Sequence, residues 1–322
     1  MPEVAIFSTS LDRPTYEPVV EILQKKGLDT FVYNSDKIAC QDDSLNISVN
    51  SDGNLNLEYN DETVRLDQIK ASWFRHPYVY NFDIEDKAKK MTLEHEIDLL
   101  QNSIWNSVSD EAWLNHPDKM EKARDKIGQL ILAKSLGLKI PDTIVANNWG
   151  SIRNKFQDNP FIIKMPKGLI YENNKAKILY TTILNSNSSN ELEENNPFPG
   201  IYQEYLEKRR EWRITIVDDK VFEASVYTDK DAKDDWRKHQ FSNKVLFKKE
   251  KMPTEVTEKC CNFLGKLGLL YGTFDLIENN EGEITFLECN TNGQYRWLED
   301  VLQLPITEAI ADSLIKIHSQ NS

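Results

Sequence analysis

The spacing of apolar residues at the start of the chain predicts a β-α-β unit. An apolar run at Val4–Ser8 is followed by helical spacing over Tyr16–Lys26, which Gly27 ends, and then by a second apolar run at Thr30–Tyr33. Because connections of this kind are right-handed in nearly all proteins, we expect the two strands to lie parallel in one sheet. The turn after the first run contains no G-x-G-x-x-G motif and therefore gives no support for a dinucleotide site.

The rest of the chain shows the same two kinds of pattern. Leu45–Leu66 alternates polar and apolar residues around Ser51-Asp52-Gly53 and predicts a hairpin. A short strand at Ala71–Phe74 ends in Arg75-His76-Pro77, which we interpret as a solvated strand end rather than a ligand contact. A Ser- and Asn-rich stretch at residues 185–196 predicts a flexible connection. Helices are predicted at Glu85–Trp105, Lys119–Leu136, Thr254–Leu267 and Ile306–Ile317, and strands at Thr143–Ala146, Phe161–Met165, Ile178–Ile183, Ile201–Tyr205, Glu211–Val217 and Lys220–Tyr227.

Two apolar runs near the carboxyl end, Tyr271–Ile277 and Glu283–Cys289, flank a turn-rich segment and predict a second hairpin. With the turn centred on Asn280-Glu281, Asp275 is expected to face Phe286, and Glu288 to lie one diagonal step along the same face. Asn290 points the same way as Glu288, because strand side chains alternate with a period of two.

Two carboxylates and an amide on one strand face suit a hard cation such as Mg²⁺, which shares its other positions with water and phosphate oxygens. The alternative is that these acidic residues are simply solvated on an exposed hairpin face. The apolar character of both strands favours the metal, because buried Asp275 and Glu288 would need a cation or donors to offset their desolvation.

Three cations lie at positions that suit an anionic ligand. Lys164 closes the apolar run Phe161-Ile162-Ile163, where a lysine either binds an anion or extends its ammonium group to the strand edge. Arg213 shares a strand face with other polar residues, and Arg237 lies in a polar loop within Asp235-Trp236-Arg237. An arginine fork matches phosphate or carboxylate oxygens, but Arg213 could equally form a cross-strand ion pair and Arg237 could be a surface cation.

Composition limits the classes of function. The 322 residues predict two or three lobes of ordinary size, and 39% hydrophobic residues are enough for a substantial core. A net charge of −13 and a pI near 5.0 argue against nucleic-acid and anionic-membrane partners. The four cysteines show no C-x-x-C spacing, and the chain has no signal-peptide pattern, so we expect a reduced, cytoplasmic protein.

The ordered set of candidate residues resembles the ATP-grasp superfamily, in which two α+β lobes hold ATP between them. The resemblance is closest to the branch that macrocyclises ribosomally made peptides, the microviridin-type or graspetide synthetases, and it spans nearly the whole chain. It rests on Lys126, Lys164, Gln203-Glu204-Tyr205-Leu206, Arg213, Asp275 and Glu288-x-Asn290, and on the runs Trp73–Pro77, Leu138–Thr143, Asp235-Trp236-Arg237 and Phe286–Gln294.

Two departures from the branch pattern stand out. The branch usually has a second arginine where this chain has His76, and its glycine-rich phosphate loop is represented only by Met165-Pro166-Lys167-Gly168. The first departure puts any role of the Arg75-His76 turn in substrate contact in doubt.

The resemblance implies a fold and a set of roles. The fold class is α+β, with a pre-ATP-grasp α/β domain at residues 1–114, a central lobe at 115–196 and a carboxy-terminal lobe with the metal site at 197–322. ATP and Mg²⁺ are the implied cofactors. Adenine is expected at Gln203, Glu204, Tyr205 and Leu206, phosphates at Lys126 and Lys164, Mg²⁺ at Asp275, Glu288 and Asn290, and the transferred group and substrate carboxylate at Arg213 and Arg237.

The implied reaction is ATP-dependent activation of Glu or Asp side chains of a precursor peptide, followed by ester or amide formation with its Thr, Ser or Lys side chains. The precursor would carry a leader and a Thr- and Glu-rich core, and the enzyme is expected to be a homodimer. One alternative is a ligase of the same fold that acts on a small carboxylic acid or a protein tail. Another is a regulatory protein that binds the nucleotide without catalysis.

Overall fold

The structure is a computed structural model of the chain. It describes residues 1–39, 43–51, 53, 55–60, 62–75, 77, 82, 84–164, 169–172, 175–178, 182–184, 199–229 and 245–322, and only the backbone of residues 38–39, 169–172, 175–178 and 182. None of the helices in these ranges combines the length and the apolar character that a membrane span requires.

The amino-terminal part is built on a parallel sheet. Strand β1 (Val4–Ser8), helix α1 (Arg13–Lys25) and strand β2 (Thr30–Asn34) form the predicted β-α-β unit, and β6 (Ala71–Phe74) pairs in parallel with the other side of β1. A short helix and a three-stranded antiparallel sheet follow β2 in the chain, and a long helix follows β6. These elements are α2 (Ser35–Ala39), β3 (Leu45–Val49), β4 (Leu55–Tyr59), β5 (Glu62–Arg65) and α3 (Lys87–Trp105). The prediction of a hairpin at Leu45–Leu66 is therefore incomplete, because β5 adds a third strand.

The central part contains an antiparallel sheet of order β11-β8-β12-β7. The single helix predicted at Lys119–Leu136 is wrong, because the chain forms two helices there. The Asp125 side chain accepts a hydrogen bond from the amide nitrogen of Ile127 and caps the second helix. The elements are α4 (Pro117–Lys122), α5 (Lys126–Ser135), β7 (Thr143–Ala146), α6 (Trp149–Phe156), β8 (Phe161–Lys164), β9 (Leu169–Glu172), β10 (Lys175–Ile178), β11 (Thr182–Leu184) and β12 (Gly200–Glu204).

Two other predictions for the central part fall partly or wholly outside the described ranges. The strand predicted at Ile178–Ile183 corresponds to the end of β10 and the start of β11, with residues 179–181 outside the described ranges. The flexible connection predicted at 185–196 also lies outside them.

The carboxy-terminal part is a five-stranded antiparallel sheet of order β15-β14-β13-β16-β17, in which β17 is an edge strand. One face of the sheet packs on α7, where the ring of Phe263 lies 5.5 Å from that of Phe274 and 5.4 Å from that of Phe286. The elements are β13 (Arg210–Val217), β14 (Lys220–Thr228), β15 (Val245–Lys249), α7 (Thr254–Leu267), β16 (Tyr271–Glu278), β17 (Ile284–Asn290), α8 (Arg296–Leu302) and α9 (Ile306–Gln320).

One continuous hydrophobic core joins the amino-terminal sheet to the carboxy-terminal sheet. It contains Phe7 of the amino-terminal sheet, Trp105 of α3, and Trp212, Phe274 and Phe286 of the carboxy-terminal sheet. Because side chains alternate along a strand, the residues next to these core positions point to the opposite face of the carboxy-terminal sheet. That face carries the candidate site.

Candidate functional site

The three candidate metal ligands lie together on β16 and β17. Asp275 pairs directly with Glu288, and Asn290 pairs with Thr273. The expected pairing of Asp275 with Phe286 is wrong by two residues. The turn is one residue longer than expected, so Phe286 pairs with Leu276, and a β-bulge between Asp275 and Leu276 shifts the register by one further residue. The expected common face is nevertheless present, since Nδ2 of Asn290 donates to Asp275 Oδ2 at 3.1 Å and to Glu288 Oε1 at 3.3 Å.

Two lysines act on the Glu288 carboxylate. Nζ of Lys126, from the first turn of α5, lies 3.2 Å from Glu288 Oε2, and Lys164, the last residue of β8, contributes its charge. Burial by itself would raise the pKa of Glu288, but the charges of Lys164 and Lys126 and the hydrogen bonds from Asn290 and Lys126 outweigh it and hold the pKa well below its ordinary value. The carboxylate is therefore ionised at neutral pH.

Arg213 forms the cross-strand ion pair that its position on β13 allows. It faces Asp275 across the sheet, and its Nη1 donates to Asp275 Oδ1 at 2.6 Å. Burial would lower the pKa of the guanidinium, but the charge and hydrogen bond of Asp275 raise it above its ordinary value. Nη2 donates to the backbone oxygen of Gln294 at 3.3 Å, whereas Nε is buried and has no partner among the described residues. The guanidinium is thus held on two sides and retains one unused donor.

The four residues expected around adenine occupy the end of β12 and the connection after it. Nε2 of Gln203 donates to Oγ1 of Thr143 at 3.0 Å, whereas its Oε1 is buried without a partner in the described part of the chain. Glu204 forms two hydrogen bonds with the backbone of Asp142. The backbone nitrogen of Glu204 donates to the backbone oxygen of Asp142 at 2.9 Å, and Oε1 of Glu204 accepts from the backbone nitrogen of Asp142 at 3.0 Å. The end of β12 is therefore fixed to the start of β7.

Tyr205 and Leu206 line a cavity of about 150 Å³ that also contacts Ile277 and Thr285. Ile277 follows Asp275 by two residues in β16, so the two side chains lie on the same face of the sheet. The cavity and the candidate metal ligands therefore share one face of the carboxy-terminal sheet.

The sequence analysis missed two buried amides that hold the ligand strand. Gln129 donates through Nε2 to the backbone oxygen of Cys289 at 2.8 Å and accepts from its backbone nitrogen at 2.8 Å. Nδ2 of Asn115 donates to the backbone oxygens of Tyr271 and Thr291, at 2.8 and 3.2 Å. The spacing of Lys126 and Gln129 on one helix was an available signal, because residues three apart lie on one helix face.

Arg75 is not the solvated strand end that we expected. Its side chain is fully buried, and its Nε donates to Asp12 Oδ2 at 2.8 Å. Nη1 donates to both the backbone and side-chain oxygens of Asn292 at 2.8 Å and to the backbone oxygen of Gly293 at 3.3 Å. Nη2 donates to Gln294 Oε1 at 2.7 Å. The expectation failed because the acceptors are distant in the chain: Asp12 is 63 positions away, and Asn292, Gly293 and Gln294 are 217 to 219 positions away.

Several residues expected at the site lie outside the described ranges. These are Arg237 with its neighbours Asp235 and Trp236, His76, and the Met165-Pro166-Lys167-Gly168 segment. The structure brings together Lys126, Arg213, Asp275, Glu288 and Asn290 through direct contacts, and it places Lys164 near Glu288.

The donor set fits a magnesium–nucleotide complex better than a metal held by protein alone. No three His, Cys, Asp or Glu side chains cluster as metal ligands within the described ranges. Asp275, Glu288 and the Asn290 amide, if the amide turned its oxygen inward, would supply three oxygen ligands and would leave the remaining positions to water or phosphate. The unused donor of Arg213 and the unused acceptor of Gln203 suit a phosphate oxygen and an exocyclic amino group, respectively.

Comparison with known proteins gives one family and a set of similar structures. Residues 3–121 match the family model of the MvdD pre-ATP-grasp domain. No curated protein sequence matches the chain. An ATP-grasp ligase from Chryseobacterium gregarium, described as RiPP-associated and determined with ADP and a leader and core peptide, aligns with a TM-score of 0.84 and 26% identity over 98% of this chain and 97% of that chain.

Two macrocyclases from Microcystis aeruginosa MRC are also similar. MdnC, bound to the precursor peptide MdnA, aligns with a TM-score of 0.84 and 25% identity over 97% of this chain and 99% of that chain. MdnB aligns with a TM-score of 0.80 and 26% identity over 98% of this chain and 99% of that chain. The similarity therefore covers all of the described sheets rather than one lobe.

Proposed function

We propose that this chain, which has the fold and domain order of the ATP-grasp macrocyclases, is an ATP-dependent ligase that closes rings in a ribosomally made precursor peptide. It activates Glu or Asp side chains of the peptide as acyl phosphates and joins them to Thr or Ser hydroxyls or to Lys amines. The observation that carries the proposal is the convergence of Asp275, Glu288, Asn290, Lys126 and Arg213 on one sheet face. Full-length similarity to ligases bound to leader, core and precursor peptides supports the choice of substrate.

The reaction requires activation because a carboxylate is a poor electrophile and its condensation in water is uphill. A carboxylate oxygen of the peptide attacks the γ-phosphorus of ATP, and ADP leaves. The hydroxyl oxygen or amine nitrogen then attacks the acyl carbon, phosphate leaves, and the nucleophile loses one proton. Each ring closure thus consumes one ATP and removes one water from the peptide.

The residues of the chain supply positioning and charge. Gln203, Glu204, Tyr205 and Leu206 hold the adenine, and Lys126 and Lys164 neutralise phosphate charge. Asp275, Glu288 and Asn290 hold Mg²⁺, which when bound neutralises charge on the phosphate oxygens during transfer. Arg213 is positioned by Asp275 and directs its unused Nε–H toward a transferred phosphoryl group.

Arg237 is proposed as the second clamp, on the substrate carboxylate. Its loss should be separable from loss of nucleotide binding. We expect Arg237→Ala to reduce peptide modification while ADP affinity stays close to that of the wild type. Equal rates of modification in the variant and the wild type would remove Arg237 from the site.

We also propose a homodimer in which helix α3 pairs with α3 of a second copy. Met91 and Leu99 on this helix are 69% and 51% exposed, and because they are eight residues apart they lie on one face of the helix. The first turns carry Lys87, Lys89 and Lys90, and the following turns carry Glu94, Glu96 and Asp98. Two antiparallel copies would therefore place the lysines of one helix against the acidic residues of the other around an apolar seam.

Sedimentation can test the dimer. Leu99→Glu should convert a dimer to a monomer, because it places two like charges in the seam. Val301→Glu, at a position that is 58% exposed on α8, is the matched control and should leave the mass unchanged. A wild-type monomer at micromolar concentration would contradict the proposal.

The division into parts at 1–114, 115–196 and 197–322 remains a proposal. The separate amino-terminal and carboxy-terminal sheets support it, whereas β12, which lies in the third range, pairs with β7 and β8 of the second. A cytoplasmic location also remains a proposal, and the free thiols of Cys260, Cys261 and Cys289 support it. The Thr- and Glu-rich core of the precursor follows from the ester and amide chemistry proposed above.

Mass spectrometry of the precursor encoded beside the gene, after incubation with enzyme, ATP and Mg²⁺, tests the function. We expect losses of about 18 Da for each bond formed, as condensation requires. Glu288→Gln should abolish the losses. Glu283→Gln, the same change at an exposed position of the same hairpin, is the control and should retain them. Unchanged peptide with intact ATP would favour a small-molecule or protein-tail ligase, and bound ATP that no acceptor cleaves would favour a regulatory protein.

A further inference from the structure

Arg75 uses its guanidinium to connect the amino-terminal sheet to the loop that follows the metal-ligand strand. On the amino-terminal side, its Nε donates to the carboxylate of Asp12, whose side chain is only 11% exposed. Its Nη1 and Nη2 atoms donate to Asn292, Gly293 and Gln294. The fork therefore fixes both the position and the orientation of a segment that starts two residues after Asn290.

The same loop is held from its other side by the carboxy-terminal sheet. The hydroxyl of Tyr271 donates to the backbone oxygen of Gly293 at 2.7 Å. A Cβ atom at Gly293 would lie 2.6 Å from Oγ1 and 2.7 Å from Cβ of Thr273, so the backbone approaches that strand as closely as it can. The loop has little freedom to move between these two surfaces.

Gln294 connects two arginines from different parts of the chain. Its side-chain oxygen accepts from Nη2 of Arg75, and its backbone oxygen accepts from Nη2 of Arg213. The Gln294 backbone oxygen and Asp275 are the two acceptors that orient the Arg213 guanidinium. A displacement of Gln294 would consequently rotate Arg213 about its bond to Asp275 and redirect its unused Nε–H.

We propose that Arg75, oriented by Asp12, is a positioning residue that sets the orientation of Arg213 through Gln294. The inference rests on the proposed function for its chemical meaning, because Arg213 is the proposed phosphoryl clamp. The amino-terminal domain thereby contributes to phosphoryl transfer without touching the nucleotide. A purely structural Arg75 would instead stabilise the fold and leave the properties of each folded molecule unchanged.

Kinetics of Arg75→Lys distinguish the two roles. A lysine keeps a buried positive charge beside Asp12 but cannot bind the loop as a fork. We expect kcat for peptide modification, per nucleotide-binding molecule, to fall roughly tenfold to a hundredfold, while KM for ATP changes little. Arg210→Lys is the matched control. Arg210 is also largely buried, but its guanidinium binds the carboxylates of Glu278 and Glu250 and the hydroxyl of Tyr227 rather than the loop. The Arg210→Lys variant should be less stable than the wild type and should have the same kcat.

A second variant tests the route. Gln294 is exposed, so Gln294→Ala should fold. It removes the side-chain acceptor of Arg75 and one long hydrogen bond, 3.5 Å, from Gln294 Nε2 to Asp12 Oδ1. If the effect passes through Gln294, the double variant should be no slower than Arg75→Lys alone. Multiplicative losses, or a normal kcat in Arg75→Lys, would overturn the proposal.

Hydrogen exchange keeps this test independent of the proposed function. In Arg75→Lys, the backbone amides of residues 292–294 should exchange faster than in the wild type, while those of α5 keep their protection. Unchanged exchange in the loop would refute the positioning role even if the wild type modified no peptide at all. Failure of the wild type on every peptide would refute the proposed function instead.

Discussion

The side-chain amide of Gln129 forms both backbone hydrogen bonds of Cys289, each 2.8 Å long. Cys289 lies between Glu288 and Asn290 on β17, the edge strand of its sheet. An edge strand has backbone donors and acceptors without a neighbouring strand, and Gln129 takes the place of that neighbour at one residue. Because this residue separates two proposed metal ligands, the amide fixes the direction of both side chains.

Gln129→Leu should therefore loosen the metal site. Leucine fills a similar volume but leaves a buried N–H and a buried C=O of Cys289 unpaired, which costs about 1–3 kcal/mol in the free energy of unfolding. We expect the Mg²⁺ concentration for half-maximal ATP turnover to rise. Urea unfolding and a Mg²⁺ titration measure the two effects. Gln24→Leu, at an exposed position of α1, is the control, and an equal response from both variants would contradict this role.

Gly293→Ala and Gly265→Ala should have opposite effects on stability. At Gly293 an added Cβ would lie within 2.7 Å of two atoms of Thr273, so we expect a loss of about 1–3 kcal/mol and reduced activity. At Gly265, inside α7, nothing lies within 4 Å, so alanine should stabilise the helix by about 0.5–1 kcal/mol. Thermal unfolding of both variants checks the pair. A neutral Gly293→Ala would mean that the loop is free to shift.

The acid sensitivity of the fold should depend on Glu288. Its pKa is lower in the folded chain than in the unfolded chain, so the unfolded chain binds a proton first as the pH falls. The carboxylate therefore contributes stability above its unfolded pKa, and that contribution disappears as the pH falls through its folded pKa. Without added Mg²⁺, the unfolding free energy of the wild type minus that of Glu288→Gln should decrease between about pH 5 and pH 2, by on the order of 2 kcal/mol.

Urea unfolding at a series of pH values measures this difference. Lys126→Met should reduce the decrease, because it removes one of the two lysine charges that lower the pKa of Glu288. A difference that stays constant with pH would show that Glu288 titrates alike in both states.

Gln203→Leu should alter the choice of nucleotide. The proposed role of the unpaired Oε1 is to accept a hydrogen bond from the amino group of adenine, where guanine has an oxygen. We expect ATP to bind roughly tenfold more weakly and GTP to bind as before, so that the preference for ATP falls. Titrations with both nucleotides measure the change. If the binding of ATP and of GTP weakened equally, the role of Gln203 would be structural, through its hydrogen bond to Thr143.

Local patterns were sufficient for much of the fold and for the family. The β-α-β start and the helix at Thr254–Leu267 follow from periodicity and stop residues, and both are confirmed. The resemblance to the ATP-grasp macrocyclases is confirmed by the domain match and by the similar structures. Alternation along β17 also predicted correctly that Glu288 and Asn290 share a face, because the bulge lies before them.

Other features depend on contacts that no local pattern contains. The turn is one residue longer than expected, and the bulge adds Leu287 to β17 without any glycine or proline to mark it, so counting from the turn gave the wrong partner. Arg75 and Gln129 look like ordinary surface residues in the sequence, and their burial depends on acceptors supplied 160 or more positions later. The second half of the predicted helix at Lys119–Leu136 was right, but the Asp125 cap was overlooked.

The position of β17 at the sheet edge limits how this protein can be divided. A fragment of residues 197–322 would contain all three proposed metal ligands but would lack Gln129, which covers Cys289, and the backbone oxygen of Lys139, which accepts from the amide of Phe286 at 2.8 Å. Its outer strand would then offer unpaired backbone groups to other chains, a common cause of aggregation. For domain swaps or split-protein designs, the smallest transferable unit therefore begins before α5 and keeps it with the carboxy-terminal sheet.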